Sequence, residues 1–286
     1  MKRIVMILAV ALVAGCSLTP NLDMVGMFYG QSPRNDARFE DSMKYNDEHG
    51  VCRTVVLPAD EYKIYIATDM HVDSTWRNTT EFARRAEADA ACPFVLILGD
   101  VINAQGNYGH FLEGIKPLTK TWFCTAGNHD IYFGQWKEFV ANIGSSTYWF
   151  VVQTPSAKDL YICIDTSDGT FGVKQLAWLR TLLEEKSKEG YRHIIVYTHT
   201  HMFKRDASQG HTSNFPMEDT YEITSLLSRY GVEWYLSGHD HSREITDFKK
   251  VRYIIVDSMQ DIDEQPAYMV ATIGEKLKYE YIELTK

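Results

Sequence analysis

The chain has 286 residues, of which 45% are hydrophobic, 23% charged and 13% aromatic; that balance supplies apolar surface for a sizeable core and excludes wholesale disorder and a collagen-like repeat. Asp and Glu number 38 against 29 Lys and Arg, a net charge of −9, which opposes broad attraction to a nucleic-acid duplex or an anionic lipid surface. Small anionic substrates stay admissible, because a bound metal ion outweighs the mean surface field inside its own cleft.

At the N-terminus, Lys2 and Arg3 precede the apolar run Ile4 to Val13, and Ala14, Gly15 and Cys16 follow it. That run is too short for a bilayer, which takes about 20 residues, and the order of charge, apolar run and small residues is that of a secretory signal. Val13-Ala14-Gly15-Cys16 resembles a bacterial lipobox, which implies removal of residues 1–15 and a membrane anchor of lipid on Cys16; loss of Lys2 and Arg3 takes the net charge from −9 to −11. An ordinary cleaved signal or an N-terminal anchor is the alternative. The expected location is a bacterial cell envelope, at the outer rather than the inner membrane. Disulfides persist in such a compartment. Of the remaining Cys52, Cys92, Cys124 and Cys163, the last two sit in apolar strand-like runs and are expected to be buried thiols. No CxxC pair is present, which excludes a zinc ribbon.

Residues 16–58 read as a lipidated tether and N-terminal extension, in which Ser32-Pro33 opens a polar helix to about His49. A single domain is expected over 59–286. From Tyr62 onward short β-rich runs alternate with amphipathic helices, the pattern of a layered α/β domain. Strands are predicted at 62–68, 94–98, 121–125, 148–153, 159–164, 192–198, 233–236 and 251–256. Asn78 with Glu81 predicts a capping box for a helix burying Phe82, Ala83, Ala86 and Ala90. A second helix is expected to bury Val173, Leu176, Ala177, Leu179 and Leu183 and to stop at Gly190.

Five strand runs end in polar residues of metal-binding type: Asp69-Met70-His71, Gly99-Asp100, Gly127-Asn128-His129-Asp130, His199-Thr200-His201 and Gly238-His239-Asp240-His241. In layered α/β architecture strand ends share one rim, so these clusters are expected to meet at one cleft. Residues two apart on an extended segment point the same way, so Asp69 with His71, and His239 with His241, can each grip one ion. Carboxylate and imidazole donors with one amide suit Mn, Fe or Zn rather than a soft-metal site. Glycines before Asp100, Asn128 and His239 are expected to turn the backbone sharply.

The ordered set DxH, GD, GNHD, H and GHxH over roughly residues 62–260 resembles the calcineurin-like metallophosphoesterase superfamily. The resemblance implies a four-layer α/β/β/α sandwich. It implies that Asp69, His71 and His241 hold one divalent or trivalent ion, that Asn128, His199 and His239 hold a second, and that Asp100 bridges them. His129 then faces the substrate phosphate and leaving group, Asp130 orients it, and Asn128 helps stabilise phosphoryl charge. The implied reaction is hydrolysis of a phosphomonoester or phosphodiester by a hydroxide shared between the ions. Two departures stand out. Asn103 occupies the position where purple acid phosphatases carry a tyrosinate and many phosphodiesterase relatives carry Asp. His201 competes with His199, which directly ends its strand and is the preferred ligand. The alternatives are a dinuclear hydrolase of non-phosphate bonds and a non-catalytic envelope lipoprotein. Trp76, Tyr108, His110, Tyr132, Phe133, Phe203 and Phe215 are candidates to line the cleft. An envelope location favours a small extracellular phosphate ester such as a nucleotide, a glycerophosphodiester or a phosphorylated glycan. No protein partner is expected.

Overall fold

A computed structural model of the chain describes residues 28, 30–206, 210–212 and 215–284. The first elements are α1 (Asn35–His49), β1 (Arg53–Val56), β2 (Tyr62–Ala67), α2 (Arg77–Ala88), β3 (Phe94–Ile97), α3 (Tyr108–Ile115) and β4 (Thr121–Cys124). Then come α4 (Asn128–Ile131), α5 (Trp136–Asn142), β5 (Tyr148–Gln153), β6 (Lys158–Cys163), α6 (Val173–Lys186), β7 (His193–Tyr197), β8 (Lys204–Asp206) and β9 (Gly210–Thr212). The chain continues through α7 (Met217–Arg229), β10 (Trp234–Ser237), β11 (Ile245–Phe248), β12 (Val251–Ile255), β13 (Ala267–Ile273) and β14 (Leu277–Glu283).

One sheet is ordered β14-β13-β2-β3-β4, the other β1-β5-β6-β7-β10-β12-β11, and β8 pairs with β9 alone. Parallel strands covered on both faces read as continuous apolar runs, which is why the predicted strands 62–68, 94–98 and 192–198 carry no polar alternation. Alternate side chains still part company. Ile64 and Ile66 point between the sheets toward Phe150, Tyr161, Ile195 and Leu236, while Tyr65 and Ala67 point outward beneath α2, α3 and α5, which supply Phe82, Phe111 and Phe139. On the far side α6 and α7 cover the larger sheet with Leu179, Leu183, Ile223 and Leu227. The result is a four-layer α/β/β/α sandwich, with the C-terminal ends of β2, β3, β4, β7 and β10 supplying the functional loops.

Several local expectations differ. No capping box forms on α2: the Asp261 carboxylate accepts from the backbone N–H of Arg77 (2.9 Å) and Asn78 (2.8 Å), and the Asn78 amide donates to the carbonyls of Met259 and Gln260. A cap contributed from so far along the chain leaves no local pattern. Ala90 lies beyond the end of α2 and is exposed. On α6, Val173 is 78% exposed and Ala177 is exposed, whereas Gln175, Leu179, Leu182 and Leu183 are buried. The Gln175 amide explains the rotation. Its oxygen accepts from Thr147 Oγ1 and Asp165 N, and its nitrogen donates to two carbonyls, so its burial is fully hydrogen-bonded.

Residues assigned from sequence to the extension contribute α1 and β1, and β1 runs parallel to β5 as an edge strand. Arg38 of α1 is fully buried, and its guanidinium grips Asp165 with two parallel bonds of 3.0 and 3.1 Å and Asp168 at 3.2 Å. Cys52, Cys92, Cys124 and Cys163 are free thiols, the last three buried. Among the described residues no helix is long and apolar enough to cross a membrane; Cys16 and its signal-like run lie outside those residues.

Candidate metal centre

The loops that carry the polar clusters are bent in an unusual way. Asp69, His71, Asp100, His239 and His241 all have positive φ, between 42° and 72°, a left-handed conformation that side chains other than glycine avoid. The members of each pair therefore do not sit as alternate residues of an extended strand; each ligand-type residue is its own left-handed turn. Such conformations cost on the order of 1–3 kcal/mol each and persist only where the surroundings hold them. Here the loops brace one another: Asp69 N–H donates to Gly99 O (3.1 Å), His71 N–H to Asp100 O (2.9 Å) and Gly238 N–H to His199 O (2.8 Å). Of the three glycines before ligand positions only Gly99 has positive φ. Gly127 and Gly238 serve close approach instead. A Cβ on Gly127 would stand 2.1 Å from Asp100 Oδ1, and one on Gly238 2.0 Å from Thr68 Oγ1 and 2.5 Å from Asp69 Oδ2.

The side chains converge in two groups that share Asp100. In the first, His241 Nε2 lies 3.3 Å from Asp69 Oδ1, His71 Nε2 lies 3.7 Å from the same oxygen, and the two imidazole nitrogens are 3.2 Å apart. In the second, Asn128 Oδ1 lies 3.0 Å from His199 Nε2 and 2.8 Å from His239 Nδ1. Asp100 Oδ2 stands between the groups, 3.4 Å from His199 Nε2 and 3.7 Å from His71 Nε2. Donor atoms of Asp69, His71 and His241, and of Asp100, His199 and His239, lie within 4.8 Å of one another.

Hydrogen bonds behind these side chains decide which atoms face inward. His199 Nδ1 lies 2.9 Å from Leu98 O and must donate to it, so the neutral ring presents a bare Nε2 lone pair to the Asn128 oxygen. Two acceptors facing each other at hydrogen-bonding distance need positive charge between them, supplied either by a proton on Nε2 or by a metal ion. Asp69 Oδ1 is likewise buried with no hydrogen-bond partner, while Oδ2 accepts from Thr68 Oγ1 and His239 N–H, both at 2.8 Å. Burial opposes charge on Asp69 and Asp100, yet the imidazoles hold both carboxyls below the usual range. Burial also opposes charge on His199, but Asp100 and Asp69 raise it to about 9, and burial together with His199 pushes His239 down to about 4. The donor set thus gathers cationic charge wherever it can, and it fits two metal ions: Asp69, His71 and His241 for one, Asn128, His199 and His239 for the other, Asp100 for both.

A family model described as calcineurin-like phosphoesterase matches residues 62–243. The chain belongs to that family. No curated protein sequence matches it. Among solved structures it is similar to the GAP50 anchor in the inner membrane complex of Plasmodium, at 13% identity over 78% of this chain and 84% of that one, with a TM-score of 0.62. It is also similar to purple acid phosphatase PPD1 of yellow lupin (Lupinus luteus), at 15% identity over 79% and 52%, TM-score 0.62, and to PhoD, at 10% identity over 79% and 66%, TM-score 0.59. At these identities the likeness is one of fold, and the chain spans about half the length of the lupin protein.

Other calcineurin-like positions fall as follows. His199 joins the donor groups and His201 does not; the His201 ring lies behind His239, with centroids 5.6 Å apart. Asp130 makes no bond to His129. Its Oδ2 accepts from the backbone N–H of Gly127 and Asp100, both at 2.8 Å, because the first turn of α4 swings the carboxylate back onto its own N-terminus and the neighbouring loop. Burial, with the charge of Asp100, raises Asp130 to about 7. His129 is held otherwise: its N–H donates to Asp100 Oδ1 (2.8 Å) and its Nδ1 accepts from Ala104 N–H (3.1 Å). Asn103 and Gln260 join the donor side chains around an open cavity of ≈ 220 Å³. Gln260 had no local signal in the sequence, since it comes from the loop between β12 and β13. None of the seven candidate aromatics lines that cavity. Tyr108 and Phe215 are buried in the outer layers, Phe203 packs on Phe248 and Tyr253, and Trp76 stacks on His110. Tyr132 alone approaches His129, at 5.1 Å between ring centroids.

Proposed function

We propose that this protein is a metal-dependent phosphoesterase, anchored by lipid on Cys16 at a bacterial cell envelope, hydrolysing a small phosphate ester. The observation that carries the reading is the position of Asp100 between the two donor groups, 3.7 Å from His71 and 3.4 Å from His199, in the lining of an open cavity. A pair of Mn, Fe or Zn ions held there would polarise a phosphoryl oxygen and make water acidic enough to attack it near neutral pH.

The chain's own residues supply positioning and a hydrogen-bond donor. Because Ala104 N–H occupies Nδ1, neutral His129 carries its proton on Nε2. Burial lowers the His129 pKa; the neutral ring keeps its proton and donates an Nε2–H hydrogen bond to a phosphate or leaving-group oxygen, stabilising the charge that develops there. Asp100 holds the histidine backbone in place through its second oxygen.

Purified protein stripped of metal and reloaded separately with Mn, Fe and Zn, then assayed on matched monoester and diester panels, tests the reading. Activity is expected only after reloading. A stripped protein that hydrolyses as fast as the loaded one would end it. His129→Ala is expected to keep both ions and lose about 10²–10³ in turnover, most with poor leaving groups; a loss independent of leaving group would assign His129 a role other than stabilising the leaving group.

A further inference from the structure

The amide of Asn128 can serve the second donor group only with its oxygen inward, and one side chain outside that group holds the nitrogen end. Tyr132 follows Asn128 by one helical turn, and its hydroxyl oxygen accepts a 2.8 Å hydrogen bond from Asn128 Nδ2. With the nitrogen so engaged, Oδ1 is directed at His199 Nε2 and His239 Nδ1. The reversed amide would aim two N–H groups at those ring nitrogens and at any cation between them. The Tyr132 ring is itself fixed, lying 5.0 Å from Phe28, 5.1 Å from His129 and 6.3 Å from Phe133 between centroids, with Phe133 held at φ 54°.

We propose that Tyr132 is a positioning residue for the metal site of Asn128, His199 and His239: as the outer hydrogen-bond partner of the Asn128 nitrogen it stabilises the amide with its oxygen inward and so raises that site's affinity without touching the ion. The inference rests on the metal-centre reading above. Its sequence mark is a tyrosine four residues after the asparagine, a spacing that places both on one side of the turn.

The test is calorimetric titration of the metal-free full chain with Mn²⁺ alone. Wild-type protein is expected to bind two ions. Tyr132→Phe keeps the ring contacts and removes only the hydroxyl; it is expected to weaken one of the two sites by about 10–100-fold, the usual cost of losing an outer partner of a ligand, and to leave the other unchanged. In an Asn128→Ala background the hydroxyl has no amide to hold, so the same substitution is expected to cost less than about threefold. Two ions bound equally by wild type and Tyr132→Phe would overturn the role of Tyr132 alone. An equal loss in both backgrounds would also overturn it, because that is the mark of general packing damage. Failure of wild type to bind any Mn²⁺ would overturn the metal centre and this inference together.

Discussion

Asp100→Asn is expected to reduce hydrolysis to background and to weaken metal binding at both sites at once. Asp100 Oδ2 lies between His71 and His199, at 3.7 and 3.4 Å, so it belongs to both donor groups. Replacing it removes one negative charge from the only carboxylate the groups share. An amide presents a single oxygen, and Asp100 uses both of its own: Oδ1 accepts the His129 N–H at 2.8 Å while Oδ2 faces the donors. Whichever way the new amide turns, one of those two partners meets an N–H group instead of an oxygen. Since outer partners of a ligand are commonly worth about 10–100-fold in affinity, removal of a shared direct ligand is expected to exceed that at each site. Metal content after gel filtration and turnover of a chromogenic diester measure the two effects separately. Wild-type turnover in Asp100→Asn would remove Asp100 from the centre of the mechanism.

The sequence made the donor set legible because each polar cluster follows a continuous apolar run, and strand ends of an α/β sheet have only one rim on which to meet. What it could not show was how the donors face one another. Positive φ at Asp69, His71, Asp100, His239 and His241 is a property of the closed loop network; aspartate and histidine enter that region more readily than most side chains, yet so small a share of them do that residue type alone does not announce it. The place of Asp130 was misread for a related reason: from sequence it is simply adjacent to His129, whereas the turn of α4 sends its carboxylate to the backbone of Asp100 and Gly127. Helix faces were legible to within a rotation. Gln175 displaced Val173 and Ala177 from the buried side of α6 because a cluster of buried polar groups at Thr147 and Asp165 awaited its amide. Hydrophobic periodicity carries no record of such a partner.

The same buried cluster ties α1 to the site and makes Arg38→Met the most destabilising substitution expected outside the metal centre. Asp165 is fully buried at the end of β6 and accepts from both arms of Arg38, from Ser146 Oγ and from Ser167. The next residue, Thr166, bonds Thr198 Oγ1 (2.7 Å) and Thr200 N–H (2.9 Å), the two neighbours of His199. Removing one member of a buried ion pair leaves the other unpaired in a medium that solvates it poorly, at a cost of about 3–5 kcal/mol, against a total stability of about 5–15 kcal/mol for a typical domain. The pH dependence distinguishes lost charge from lost packing. In the wild type burial opposes charge on Asp165, but Arg38 outweighs it and holds the carboxyl below its usual range. Its stabilising contribution is therefore complete above the unfolded pKa of about 3.9 and is lost as pH falls through the lower folded value. In Arg38→Met burial acts unopposed by a cation, the Asp165 pKa rises, and protonation relieves the penalty on descent from neutral pH. Urea denaturation of both proteins at pH 7 and at about pH 4 is expected to show the gap between them narrowing toward acid. A penalty of the same size at both pH values would assign the role of Arg38 to packing against Trp136, which its guanidinium overlies at 6.0 Å. A penalty below about 1 kcal/mol at pH 7 would detach α1 from the cooperative fold.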